Sequence, residues 1–266
     1  MNLFIWFAKF CYIADRVWLR LLLGKKKRNE YFKEHGIIWE HFIKMGHKIE
    51  MNGIKAIPRK DTDDFQLLFF NREPELKPHL ELHKGETFLD VGANVGYHTL
   101  KAATDYSDDV KIIAIEAHPE TYKALCRNIA NNGFKNVITI NKAVSDKKGV
   151  ITLYDNTNID GYLNSGHSTI LFEYKSKFEN PKSLNVQSDS LDNILKENNI
   201  GNVDVLKMDI EGAEIQALEG STATLKKLRK IIVEIHGTNL DRVRSILRNN
   251  DFYIKTVGAF VIGYKN

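Results

Sequence analysis

Two short stretches hold the densest reactive chemistry in this 266-residue chain: Lys207-Met-Asp209-Ile-Glu211-Gly212 and Glu234-Ile-His236-Gly237. Each follows a mostly apolar run, so each acid or imidazole falls where a strand would stop. His236 is the first candidate for a general base, because an imidazole with its ordinary pKa of about 6.5 accepts protons near neutral pH. Asp209 and Glu211 are its rivals. They can act as bases, share a Mg or Mn ion with the histidine, or neutralise Lys207. The spacing assigns no metal ligand, because structural ion pairs look the same. His236 before Gly237 also reads as a capping residue.

A second group lies upstream, in Phe88-Leu-Asp90-Val-Gly92-Ala-Asn94-Val-Gly96. An apolar run, an acid and two glycines ahead of a helix-compatible segment read as strand, tight turn and helix start. Glycine supplies the positive φ and the close backbone approach such a turn needs. The free N–H groups of the helix start suit an anionic or polar ligand. The spacing is Asp-x-Gly-x-x-x-Gly, not the glycine pattern of dinucleotide-binding folds, which disfavours a dehydrogenase. An acid just before the turn suits a ligand with an ammonium group, and S-adenosylmethionine has one. Glu116 follows Gly96 by 20 residues, close to the interval for an acid that binds a ribose diol. Asp146, after Ala143-Val-Ser145, either accepts from an adenine amino group or forms a turn before Lys147-Lys-Gly149.

These residues need elements to hold them. Strands are expected at 111–116, 137–140, 203–209, 230–236, 252–257 and 260–264, with helices at 119–132, 213–219 and 240–249. Asn131-Asn-Gly133 is a helix stop. In an open parallel sheet, ligands bind beyond the carboxyl ends of the strands. Asp90, Glu116, Asp146, Asp209, Glu211, Glu234 and His236 all fall at such ends.

Residues 85–236 resemble the FkbM-type methyltransferases, a branch of the S-adenosylmethionine-dependent class I fold. The resemblance rests on Gly85 to Gly96, Glu116-Ala-His-Pro119, Asn141 to Asp146, Ser190-Leu-Asp192, Lys207 to Gly212 and Glu234-Ile-His236. It implies an α/β fold with a mostly parallel, Rossmann-like seven-stranded sheet whose last strand is antiparallel. It also implies O-methyl transfer from S-adenosylmethionine to a hydroxyl of a small molecule or glycan, such as a lipid-linked sugar. The cofactor set is then Asp90, Gly92, Asn94, Gly96, Glu116 and Asp146, and the catalytic set His236, Asp209 and Glu211. A methyltransferase fold that has lost catalysis and serves as a membrane-tethered binding protein is the other reading.

The segment from Asn156 to Asn185 breaks the alternation and is rich in Asn, Ser, Gly and Lys. Long loops in compact domains tend to be binding loops, and the resembled family has an insertion here, so it is assigned to the acceptor site. Residues 1–28 form a separate unit. On a helix, Asn2, Lys9, Arg16, Arg20 and Lys27 share a narrow stripe beside a wide face with Trp6, Phe7 and Trp18, and Lys25-Lys-Lys-Arg28 follows. That pattern fits a helix lying in a membrane interface or packed on a protein, and it is too interrupted by charge to span. Residues 29–84 are an N-terminal extension, with a hairpin expected near 46–53 and a strand or short helix at 65–70; residues 85–266 are the catalytic domain. The net charge of +4 gathers in the arm, which argues against a nucleic-acid partner. Cys11 and Cys126 fit no disulfide or metal pattern and suit a cytoplasmic protein, at the inner face of the membrane if the arm binds there. Nothing in the sequence fixes an oligomeric state.

Overall fold

The computed structural model describes residues 48–51, 53–59, 62–69, 73–155 and 182–265. The arm at 1–28 and most of the 156–185 segment lie outside these residues.

At the centre is β3 (Thr87–Val91), whose Phe88, Leu89, Asp90 and Val91 are all buried. A strand covered on both faces reads as an unbroken apolar run, and here one acid interrupts it. β3 pairs in parallel with β4 (Lys111–Glu116) on one side and β9 (Val205–Met208) on the other. β5 (Val137–Asn141) extends the sheet beyond β4, and β10 (Lys230–Glu234) extends it beyond β9, again in parallel. β12 (Phe260–Tyr264) runs antiparallel between β10 and β11 (Tyr253–Val257), so the seven strands lie in the order β11-β12-β10-β9-β3-β4-β5. This is the sheet that the resemblance implies, including the antiparallel last strand.

The crossover helices are set by local chemistry. α2 (Tyr97–Tyr106) begins at Gly96, which takes φ +102°. α3 (Pro119–Asn132) has Pro119 in its first turn, His118 as a cap accepting the Thr121 N–H, and Gly133 in the left-handed conformation at its end. α4 (Leu191–Glu197) starts at Ser190, which accepts the Asn193 N–H. α5 (Glu214–Glu219) and α6 (Thr222–Lys227) follow β9, and α7 (Leu240–Asn249) follows β10. Asp192 accepts the Ala223 and Thr224 N–H groups at the start of α6, so that part of the resemblance is a structural clamp.

Two features differ from the expectation. The 156–185 segment is bounded by strand. β7 (Gly149–Asp155) and β8 (Lys182–Ser190) pair antiparallel, and β8 pairs in parallel with β6 (Ala143–Ser145) in a second, three-stranded sheet. Polar residues interleave the few apolar ones here, and Val150 is exposed, so the alternation is faint in sequence. The extension is also part of the main core. The hairpin of β1 (Ile49–Met51) and β2 (Ile54–Ala56) is present, and 65–69 lies in a short helix, α1 (Asp64–Phe69). Ile54, Phe65 and Leu68 pack with Val95, Leu100 and Leu125. Leu76, in a 3-10 helix (Pro74–His79), packs with Ile232, Phe260 and Ile262. The described part of the extension thereby wraps the mouth of the sheet.

Candidate active site

A cleft opens over the carboxyl ends of β3, β4, β9 and β10. At one end it is lined by Gly92, Ala93, Asn94, Glu116, Ala117, His118, Lys142, Ala143, Val144, Ile151 and Leu153. At the other it is lined by Glu73, Tyr97, His98, Lys207, Asp209, Ile210, Glu211, Glu234 and His236.

The first end is built largely from backbone. Gly92 turns the chain at φ +78°, and a Cβ there would sit 1.8 Å from the Asp209 carbonyl oxygen. No other residue fits without moving β9. The Gly92 and Ala93 N–H groups both donate to the Ile115 carbonyl, which ties the turn to β4. Asn94 is in the left-handed region at φ +51° and its N–H donates to one Glu116 oxygen at 2.8 Å; the His118 N–H donates to the other at 2.8 Å. Burial pushes the Glu116 carboxyl up despite these bonds.

Asp90 and Asp146, both placed in the cofactor set from sequence, do not line the cleft. Asp90 is 1% exposed, accepts the Thr99 hydroxyl at 2.7 Å, and lies beneath the floor opposite Lys207 on β9. Its other oxygen has no hydrogen-bond partner. Asp146 is exposed just beyond β6, with its carboxylate beside Lys147 and the Ser145 hydroxyl. Lys142, Ala143 and Val144 face the cleft in its place, with Ile151 and Leu153 from β7 opposite. Apart from Lys142 these are apolar, and none was singled out as a site residue from the sequence. Gly96 shapes the start of α2 without lining the cleft; a Cβ there would meet Leu125 at 2.7 Å.

The second end is built from charged side chains. Asp209, Glu211, Glu234 and His236 converge as their strand-end positions suggest. Lys207 is 3% exposed with its ammonium 3.1 Å from Asp209. Burial would discharge it, but Asp209, Asp90, Glu73 and Glu234 surround it and raise its pKa well above the ordinary value. Asp209 is correspondingly held below the usual carboxylate range by Lys207 and His236, against its burial. Burial and the neighbouring Asp209 charge push Glu234 up to about 8.

His236 departs from the ordinary imidazole assumed above. Its Nδ1 lies 2.8 Å from Glu214 and its Nε2 3.4 Å from Glu211. Glu214 is fully buried and fixed by the Gly212 N–H and the Asn239 amide. Burial works against the charge, yet these carboxylates raise His236 to about 9. The ring is therefore a cation at neutral pH, which removes the premise for a base with an ordinary pKa. Glu214 falls within the helix expected at 213–219 and carries no signal of its own in the sequence, since its burial in the first helical turn is set by the fold. Ligand atoms of Asp209, Glu234 and His236 lie within 4.8 Å of one another, a set that could also hold a metal ion.

A parallel sheet with one inserted antiparallel strand, a glycine turn after its central strand and an acid ending the next define a class I methyltransferase fold. The family model described as "Methyltransferase FkbM domain" matches residues 90–254, and the chain belongs to that family. Among relatives, it is 26% identical over 156 residues to the hexuronic acid methyltransferase AglP of Haloferax volcanii, a match covering 59% of this chain and 58% of that protein. It is 27% identical over 205 residues to the 31-O-demethyl-FK506 methyltransferase FkbM of Streptomyces tacrolimicus, covering 67% of this chain and 77% of that one. A precorrin-6y C5,15-methyltransferase structure from Geobacter metallireducens GS-15 superposes with a TM-score of 0.45 at 11% identity, covering 71% of this chain and 85% of that one.

Proposed function

We propose that the protein transfers a methyl group from S-adenosylmethionine to a hydroxyl of a small molecule, a glycan or a lipid-linked sugar. The observation that carries this reading is the division of one cleft into a backbone-lined end with Glu116 and a charged end with Asp209, Glu211, Glu234 and His236. In this reading Glu116 accepts the two ribose hydroxyls, and Gly92 gives the amino-acid tail close access to the turn. A sulfonium methyl needs little electrophilic help, so the protein's task is to aim the acceptor oxygen in line and remove its proton. Ionised carboxylates accept hydrogen bonds and donate none, which suits an acceptor rich in hydroxyls. The two relatives, one named for a hexuronic acid and one for 31-O-demethyl-FK506, support a small-molecule acceptor.

Lys207 and the His236 cation already offset the carboxylates at this end, so the reaction as proposed needs no metal, and full activity in excess chelator is expected. The test of the whole reading is incubation with methyl-labelled S-adenosylmethionine and fractionated glycan and lipid extracts. Calorimetric titration showing tight NAD binding and none of S-adenosylmethionine would overturn it. Among the described residues no helix is long and apolar enough to cross a membrane. The basic and aromatic pattern of residues 1–28 supports peripheral contact with an anionic membrane. Flotation of the full chain with anionic vesicles at low salt checks that part.

A further inference from the structure

A second histidine stands in the same cleft as His236. His98 lies in the first turn of α2, two residues beyond Gly96, and lines the charged end together with Tyr97. Its Nε2 is 2.8 Å from a Glu73 oxygen, and both side chains are largely buried, at 10% and 18% exposed. Its Nδ1 has no hydrogen-bond partner among the described residues. We propose that His98, oriented by Glu73, takes the proton from the acceptor hydroxyl. The proposal rests on the methyl-transfer reading above.

The two imidazoles face different neighbours. A neutral ring that is to act as a base must carry its proton on one nitrogen and present a lone pair on the other. A carboxylate at one nitrogen fixes that tautomer and stabilises the cation formed after proton transfer. Glu73 does this for His98. His236 has carboxylates at both nitrogens, which favours a proton on each and leaves no lone pair. The Tyr97 ring stands edge-on to His98 at 4.9 Å between centroids and limits its rotation. Glu73 stays ionised against its burial through its bond to His98 and the nearby Lys207 charge.

In the step itself, an acceptor oxygen lone pair forms the O–CH3 bond as the C–S bond breaks. The C–S electron pair stays on sulfur, giving a neutral thioether. The hydroxyl proton passes to His98 Nδ1, and the resulting imidazolium is paired with Glu73 until it releases the proton to solvent. His98 is thus a catalytic residue and Glu73 a positioning one. Glu73 also lies outside residues 90–254 that match the family model, so the N-terminal extension would supply part of the site.

Two measurements test this. In the full-length protein with 15N-labelled histidine, long-range 1H–15N correlation at neutral pH should show one ring protonated only at Nε2, absent in His98→Gln and no longer fixed in Glu73→Gln. A His98 ring protonated at Nδ1 would overturn the proposal. In single-turnover methyl transfer to the accepting extract fraction, His98→Ala should slow the step by about a hundredfold or more while S-adenosylmethionine affinity stays unchanged. Added imidazole should restore part of the rate, which a structural defect would not allow. Glu73→Gln should slow it about tenfold, with Glu73→Asp intermediate. Unchanged turnover in His98→Ala sinks the base assignment alone. No transfer by the wild-type chain on any fraction sinks the methyl-transfer reading and this step with it.

Discussion

Around Gly92 and Glu116 the cleft is lined from the exits of β3 and β4 and from β6 and β7, and the turn itself is fixed through the backbone. At the charged end the lining is side chains from the extension, α2 and the ends of β9 and β10, and most of them are ionisable. The difference shows in how each is stabilised. Gly92, Asn94 and Glu116 are locked by main-chain hydrogen bonds whose geometry follows from the sheet register. Lys207, Asp209, Glu234, His236 and Glu214 are held by one another's charges, so changing one shifts the protonation of the rest. The first end should therefore fail by steric exclusion and the second by electrostatic imbalance.

The largest effect that would separate the two ends is expected from Gly92→Val. A side chain there meets the Asp209 carbonyl and forces a strained φ on a branched residue. S-adenosylmethionine binding should be lost in calorimetry, with a lowered melting temperature. If Gly92→Val binds the cofactor normally, the turn is not where the tail sits. Glu116→Ala should cost on the order of 2–4 kcal/mol in cofactor affinity, a factor of tens to hundreds, through lost charge-assisted bonds and release of the Asn94 and His118 N–H groups. His236→Ala should show the opposite profile. Cofactor affinity should be kept while turnover falls about tenfold to a hundredfold, as removal of a charged hydrogen bond implies. A loss of affinity instead would join the two ends into one unit.

The pH dependence sharpens the contrast further. His236 binds its proton more tightly folded than unfolded, so its stabilisation is complete below 6.5 and is lost as pH climbs through about 9. Glu234, raised from 4.5 to about 8, destabilises the fold progressively between those values, because the unfolded carboxyl ionises there while the folded one beside Asp209 keeps its proton. Both make the fold less stable as pH rises from about 6 to 9. Glu234→Gln should flatten the lower part of that decline in thermal melts; an unchanged slope would mean that Glu234 does not carry the proton. The smallest effect is expected from Asp146→Ala. An exposed carboxylate off the cleft should leave cofactor affinity within about twofold, in line with surface substitutions generally. A tenfold loss would restore it to the adenine site.

The sequence was a good guide wherever local rules act alone. The strands at 111–116 and 260–264 and the helix at 119–132, with its Pro start and Gly stop, stand where patterning puts them. Helix caps and apolar runs depend on neighbours in the chain, so they are visible in it. β7 and β8 were missed because a half-exposed strand pair with mixed residues leaves little period to read. Glu73, His98 and Glu214 were missed as site residues for a different reason. Each is an ordinary polar residue until a partner 22 or 25 positions away comes within 2.8 Å.

The chain by itself determined the alternation of strands and helices, the glycine turn and the set of acids ending the strands, because these follow from residue type and spacing. Only the tertiary structure decided which of those acids line the cleft. The pleat buries Asp90 under the floor opposite Lys207, and Asp146 lies exposed just beyond β6. It also decided the charge of His236, because Glu214, Glu211 and Glu234 come within 4.0 Å of its ring only in the folded chain.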